Sequence, residues 1–287
     1  MSENNLPPED PKLQFDIPPK PDILLAINQA LDKPDADSAD IAEVISRDVA
    51  LSALVLKTVN SVMFGLPRKL SDIRQAVVML GTKRIQVLVN YFALRHAVKG
   101  KASISLEKFW DNTMEVATMS RLVVDYLRLN RQVDVDLLYA LCLFRDCGIP
   151  VMSIKFQDYR QVLFEANHAS QHKFTEVEEG HYRTNHAVVG YFIAKSWHLP
   201  ATLCELILRH HDPEYLTEAS PTIDAKNVFA LMKMASAVAT QYKYGKTDTE
   251  WPTAREFVLT QMRMSDIDFQ DMQADLIDDY HTEFAGY

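Results

Sequence analysis

The chain has 287 residues, of which 47% are hydrophobic and 24% charged, and its formal net charge at pH 7 is -9. This composition is typical of a folded globular protein and excludes disorder over most of the chain. No run approaches about 18 apolar residues without a charge, and the first residues lack a secretion signal, so we expect neither a membrane span nor export. Three cysteines are too few for a disulfide framework, which favours a reducing, cytoplasmic setting.

The charged residues are unevenly distributed along the chain. Between Asp266 and Glu283 there are seven acidic side chains and no Lys or Arg, whereas eight basic residues lie between Gly65 and Lys101. A basic stretch of this kind can contact nucleic acid. A solvated helix face is the commoner explanation, and the chain as a whole is acidic. We therefore do not expect a nucleic-acid partner.

Helical periodicity dominates the chain after a proline-rich start. Residues 1–21 include six prolines, which favour an extended arm because proline lacks a donor and restricts the preceding residue. From Asp22 onward apolar residues recur at spacings of three and four, the pattern of amphipathic helices. Strand-like alternation is absent, so the predicted fold class is all-α. Short helices are predicted within 23–31, 41–45 and 51–59, and longer ones at 82–98, 106–130, 135–146, 186–197, 200–211, 225–244, 251–263 and near 267–277.

Three histidines and one aspartate occupy predicted helix ends. His210 and His211 close an apolar helix, His186 follows an asparagine suited to cap the next one, and Asp146 lies in the segment 144–150, where Gly and Pro are predicted to end a helix. One carboxylate and three imidazoles are a reasonable ligand set for a divalent transition metal. Each residue also has a structural explanation, since histidine interacts with a helix C-terminus and aspartate is common in turns.

A series of short motifs runs through residues 20–215. They are Ile45–Leu51, Leu56–Ser61, Phe64–Pro67, Ala76–Gly81, Phe109–Trp110, Arg145–Gly148, Asn185–Gly190 and Arg209–His211. In order and spacing they resemble the HDOD domain, an offshoot of the HD-type metal-dependent phosphohydrolases. The resemblance implies an HD-like helical bundle at 106–245 with an N-terminal helical lobe at 22–105. The arm at 1–21 would precede them, and an acidic helical extension at 246–287 would follow.

The same resemblance implies a degenerate metal site. Asn112 and Arg145 stand where active HD enzymes have a histidine, and Ser236 stands where they have an aspartate. Asn and Ser are weak ligands, and the guanidinium of Arg stays protonated and repels a cation. The remnant ligand set would be Asp146, His186, His210 and His211.

Three functions are compatible with this pattern. The one we favour is a non-catalytic signal-transduction module that acts by binding signalling proteins or a ligand. The alternatives are a metal-dependent phosphohydrolase with an incomplete site, helped by Glu115 or Glu205, and a sensor that holds a phosphate-bearing ligand such as a nucleotide without cleaving it. No cofactor is required by the favoured function, although the remnant ligands could retain Fe, Ni, Mn or Zn.

Arg145 has two possible roles in such a site. It can pair with Asp146 in an internal polar network that holds helix ends together, or it can donate to a bound anion. We favour the first role, in which Arg145→Ala clearly destabilises the protein.

Overall fold

The computed structural model describes residues 15–31, 37–61, 64, 66, 68–169 and 174–284. Over these residues the chain is helical and contains no strand, which confirms the predicted all-α class. The α-helices are α1 (Asp22–Leu31), α2 (Ser38–Ser46), α3 (Val49–Val59), α4 (Ile73–Leu80), α5 (Thr82–Ala97), α6 (Leu106–Tyr126), α7 (Val135–Phe144), α8 (Gly148–Lys155), α9 (Tyr159–Ala166), α10 (Phe174–Tyr182), α11 (His186–Ser196), α12 (Ala201–Arg209), α13 (Ile223–Tyr244), α14 (Trp251–Met262) and α15 (Asp266–Phe284).

The first five helices pack on one another and are joined to the rest of the fold through α5. Helix α2 contacts α1, α3 and α4, while α5 contacts α1, α3, α4 and also α7. Most buried apolar side chains of both groups belong to one continuous hydrophobic core, and Val162, Ala166 and Val177 of α9 and α10 form a second, smaller cluster. The segment between α5 and α6 includes Ser105, whose side chain caps α6 by accepting from the Lys108 amide.

Two long helices form the centre of the larger part. Helices α6 and α13, of 21 and 22 residues, contact each other and both pack against α7. Helix α6 ends earlier than the predicted residue 130, because Arg128 adopts a left-handed φ of 56° that a helix cannot continue through. Helix α13 ends where predicted, with Gly245 in the left-handed conformation at φ 62°.

The turn between α7 and α8 differs from the prediction. Gly148 and Pro150 do not end a helix here; they begin α8, where Pro occupies the first turn and needs no amide donor. A Cβ atom at Gly148 would lie 2.1 Å from the carbonyl oxygen of His186. Glycine therefore allows α8 to cross the start of α11 in direct backbone contact. This crossing brings the turn that carries Asp146 against the first residue of α11.

One stretch, Val135–Lys155, is long and apolar enough by composition to cross a membrane. It is divided between α7 and α8, and 72% of its most apolar window is buried inside the protein. The apolar side chains of α7 pack in the shared core, which accounts for the hydropathy of this stretch.

The described part of the proline-rich arm packs against the larger part of the fold. The indole of Trp197 donates to the carbonyl of Pro18 at 2.8 Å, and Lys20 Nζ donates to the carbonyl of Trp197 at 3.1 Å. Phe15 is buried with its ring edge-on to Phe156. Residues 1–14 of the arm, residues 65 and 67 of the quoted motifs and residues 285–287 of the acidic extension lie outside the described residues. Helix α15 confirms the predicted last helix.

Candidate metal centre

The structure brings together all four side chains of the predicted remnant set. One ligand atom from each of Asp146, His186, His210 and His211 lies within 4.8 Å of the other three. His186 is the first residue of α11, where the Asn185 side chain accepts from the Val188 amide at 2.9 Å as predicted for a cap. The paired histidines follow the last residue of α12. Residues far apart in sequence thus meet at the ends of two helices and one turn.

The four side chains face one another through specific atoms. Nε2 of His186 lies 2.8 Å from Nε2 of His211 and 3.4 Å from Nε2 of His210. Oδ1 of Asp146 lies 3.1 Å from Nε2 of His210 and 3.6 Å from Nε2 of His186. Three imidazole nitrogens and one carboxylate oxygen therefore converge on a common point.

The other ring nitrogen of each histidine is already engaged. Nδ1 of His186 lies 2.7 Å from Oε2 of Glu178, and Nδ1 of His210 lies 2.7 Å from the carbonyl oxygen of Ile207. Nδ1 of His211 lies 2.5 Å from Oε1 of Glu250. Ionised carboxylate and carbonyl oxygens only accept, so each Nδ1 is the donor and each Nε2 faces the centre. Partners of this kind orient histidines that ligate metals.

Comparison with known proteins agrees with this arrangement. The HDOD domain family matches residues 17–213, which is most of the chain. The chain belongs to the HDOD family. The match includes the turn with Asp146 and all three histidines, and it ends before α13 and α14.

Solved structures share the fold. An HDOD domain protein of unknown function from Geobacter sulfurreducens is 25% identical with a TM-score of 0.69, and the similarity covers 95% of this chain and 92% of that one. A Shewanella amazonensis protein with the provisional name phosphohydrolase is 20% identical with a TM-score of 0.66, covering 92% and 91% of the two chains. At that identity the likeness shows the fold alone.

A relative of uncharacterized function occurs in Treponema pallidum (strain Nichols). It is 27% identical over 223 residues, which are 76% of this chain and 42% of that protein. The HDOD protein described here therefore spans less than half the length of this relative.

Two carboxylates of the centre were not identified from sequence. Glu178 is fully buried on α10, accepts from the His186 amide at 3.1 Å and from the Tyr159 hydroxyl, and supports the His186 ring. No helix was predicted at α10, and nothing distinguishes Glu178 from Glu176 and Glu179 beside it in sequence. Only the structure, in which Glu178 is buried against His186, shows which of the three carboxylates belongs to the centre.

Glu250 lies just before α14, outside the range that matches the family. Its second oxygen, Oε2, accepts from Lys233 Nζ at 3.0 Å, and the Lys233 side chain is only 5% exposed. The pair therefore connects His211 to α13 through two charge-assisted hydrogen bonds. The sequence offered no signal for Glu250, because it is 39 residues from His211 and carries no recognisable motif.

Arg145 and Asp146 form the pair that was expected for an internal polar network. Arg145 Nε donates to Oδ2 of Asp146 at 3.0 Å, while Oδ1 of the same carboxylate faces the histidines. The Arg145 side chain is 12% exposed and lines the cavity above the cluster. The guanidinium thus hydrogen-bonds to Oδ2 of Asp146, while Oδ1 remains directed at the histidine cluster.

The other two positions expected to be degenerate, Asn112 and Ser236, line the same cavity, of about 580 Å³. Asn112 Oδ1 accepts from Lys243 Nζ at 2.6 Å, and the Ser236 hydroxyl contacts Met232 Sδ at 3.9 Å. Neither supplies an anionic ligand. Of the two carboxylates considered as additional ligands, Glu115 pairs with Lys243 at 3.3 Å and Glu205 is exposed on α12. Neither belongs to the four-residue cluster found among the described residues.

Burial and neighbouring charges together set the protonation states of the residues in the centre. Burial alone would lower the pKa of His186, but the Glu178 and Asp146 carboxylates outweigh it and raise that pKa to about 10. Burial lowers the pKa of His210 to about 3, and His211 adds to this shift. Burial would raise the pKa of Asp146, yet Arg145 and the two histidines hold it well below its usual range. An ionised Asp146 therefore faces a neutral His210 and a cationic His186.

Proposed function

We propose that this HDOD protein is a non-hydrolytic regulatory module that holds a divalent transition metal in the cluster of Asp146, His186, His210 and His211. The observation that supports it is the orientation of the three histidines. Each Nδ1 donates to an acceptor of its own, so all three Nε2 atoms and Oδ1 of Asp146 are directed at one point. The module would act on other signalling proteins through non-covalent contacts.

The donor set fits a transition metal. Nε2 of His186 and Nε2 of His211 are 2.8 Å apart, and only one proton can lie between them. A lone pair therefore faces the centre whichever ring carries that proton. Three imidazole nitrogens with one carboxylate suit Zn, Fe, Ni or Mn rather than Mg or Ca. When bound, such an ion would replace the proton of His186 and hold α11, α12 and the α7–α8 turn together.

The residues around the cluster support a non-hydrolytic role. A catalytic site needs anionic or neutral nitrogen ligands and an open position for an activated water. Here the Asn112 side chain accepts a hydrogen bond from Lys243, and the Ser236 hydroxyl lies against a methionine sulfur. Arg145 places a positive charge beside Asp146. These three side chains neither extend the ligand set nor provide a base for water.

Elemental analysis of tag-free protein, purified without chelator, tests the metal centre. We expect about one transition metal per chain, retained in His96→Ala, whose histidine is exposed on α5, and lost in His210→Ala. Circular dichroism of both variants checks that they remain folded. A folded wild-type protein that binds no Zn, Fe, Ni or Mn even after reconstitution would contradict the proposal.

Activity assays test the non-hydrolytic part separately. Metal-loaded protein should not turn over phosphodiesters, nucleotides or cyclic dinucleotides above background. Turnover that is retained by His96→Ala and abolished by His210→Ala would instead identify the protein as a phosphohydrolase.

A further inference from the structure

The cavity above the cluster carries positive charge that the protein does not neutralise. Lys108 on α6 and Arg160 on α9 are both exposed at its lining, and neither has an ion-pair partner among the described residues. Arg145, which is also in the lining, lies in the turn between α7 and α8. Three cationic side chains from separate parts of the fold therefore border one space.

Each carboxylate in the lining is already engaged. Asp146 accepts from Arg145 and faces the histidines, and Glu250 accepts from Lys233 and His211. Asp248 accepts from the Thr240 hydroxyl at 3.2 Å and from the backbone amide of Glu250 at 2.9 Å. The acidic groups of the cavity lining are thus engaged with other partners, and Lys108 and Arg160 pair with none of the described carboxylates.

The strongest indication of a ligand is one atom of Arg145. Its Nε donates to Asp146, but its Nη1 is buried and has no hydrogen-bond partner among the described residues. An unsatisfied buried donor costs free energy, more so on a charged group, and calls for a partner. The two roles considered for Arg145 are therefore compatible, because the pair with Asp146 uses one nitrogen of the guanidinium and leaves another for an anion.

We propose that this cavity binds a phosphate-bearing small molecule of about mononucleotide size, with Arg145, Lys108 and Arg160 as its anion-binding residues. The planar fork of Arg matches phosphate oxygens, and the two outer cations reinforce it. The N-terminus of α6 opens onto the same cavity at Ser105 and favours a negative charge. The volume of about 580 Å³ lies within the range of small-molecule sites.

The rest of the ligand would contact an aromatic side of the cavity. Phe109 and Phe174 both line it, and the Phe174 ring stacks on His211 with centroids 5.0 Å apart. A flat base or sugar could pack there while its phosphate reaches the cations. This inference rests on the proposed regulatory function and deepens it, because the ligand would be the signal that the module senses.

Isothermal titration calorimetry with inorganic phosphate, AMP and adenosine tests the site, in chelator-treated and in metal-loaded protein. We expect AMP and phosphate to bind both forms, since the anion-binding residues belong to the chain, and adenosine to bind at least tenfold more weakly than AMP. Lys108→Ala and Arg160→Ala should each weaken AMP about tenfold. Lys57→Ala, an exposed lysine on α3 far from this lining, should leave the affinity unchanged.

Arg145→Lys keeps the positive charge but removes Nη1, and it should also lose AMP affinity about tenfold while far-UV circular dichroism stays helical. Failure of both phosphate and AMP to bind at millimolar concentration would overturn the proposal, as would equal affinity for adenosine. Binding seen only in metal-loaded protein and insensitive to Lys108 and Arg160 would place the anion on the ion instead, and would also overturn it. A wild-type protein that takes up no metal on reconstitution but still binds AMP would contradict the metal centre alone.

Discussion

Both oxygens of Asp146 are used, one by Arg145 and one by the histidine cluster. The carboxylate is thereby fixed in orientation, and its charge is compensated from two sides. Arg145 is a partner of the aspartate, while Asn112 and Ser236, the other two positions expected to be degenerate, line the cavity. Arg145 therefore contributes an ion pair to the centre.

Removing Arg145 tests this pair. We expect Arg145→Ala to lower the free energy of unfolding by about 3–5 kcal/mol, because it leaves a largely buried carboxylate without its counter-charge. Urea denaturation followed by circular dichroism measures the change. Arg131→Ala, at an exposed arginine, is the matched control and should stay within about 0.5 kcal/mol of wild type. Equal stabilities of the two variants would show that the pair contributes nothing.

Glu250 is expected to act as a positioning residue for His211. Glu250→Gln removes the carboxylate that fixes the ring and pairs with Lys233, so metal affinity should fall about 10–100-fold. Competition with a chromogenic chelator gives the affinity. Glu256→Gln, exposed on α14 close by in sequence, provides the control. If both variants bind the ion like wild type, then His211 is oriented by packing rather than by Glu250.

At the scale of elements, the crossing of α8 and α11 places Asp146 beside His186. The carbonyl of His186 occupies the space that a side chain at Gly148 would need. Gly190 of α11 faces the same contact, since a Cβ there would lie 3.2 Å from Cys147 Sγ. Two glycines, one on each helix, therefore allow the backbones to approach closely.

Gly148→Ala should force these two helices apart. We expect a loss of stability of about 1–3 kcal/mol or more from overpacking, together with weaker metal binding because His186 moves with its carbonyl. Gly180→Ala on α10 is a sharp control, because nothing lies within 4 Å of its Cβ position and alanine favours a helix by about 0.5–1 kcal/mol. Thermal unfolding that shows Gly148→Ala to be as stable as Gly180→Ala would contradict the close crossing.

At the scale of the whole molecule, a single hydrophobic core extends through both groups of helices. It includes Leu88 of α5 and Leu141 of α7, both completely buried. The residues of the centre sit within the larger group, and Lys233 and Glu250 tie it to α13 and to the start of α14. Events at the centre are therefore coupled to the C-terminal helices.

Calorimetric unfolding should accordingly show one cooperative transition that moves as a unit when metal is added. Free metal at about 100 times its dissociation constant would add about 2.7 kcal/mol of stability. His210→Ala should show the same single transition without the metal-dependent shift, whereas His96→Ala should shift like wild type. Two separate transitions, with only one of them responding to metal, would mean that the two groups of helices unfold independently.

The sequence by itself determined the helical class and most helix positions, because the spacing of apolar residues records which face each helix buries. It also marked the four residues of the cluster as candidate ligands, but that they meet in one site was implied only by the HDOD resemblance, because the pattern along the chain does not record which helix ends come together. Glu178 and Glu250 were decided only by the tertiary structure: an acidic residue on a short helix or loop looks like any solvated carboxylate until packing buries it against a histidine. The same holds for Arg145, because only the structure shows that its Nε pairs with Asp146 while its Nη1 is buried without a hydrogen-bond partner among the described residues.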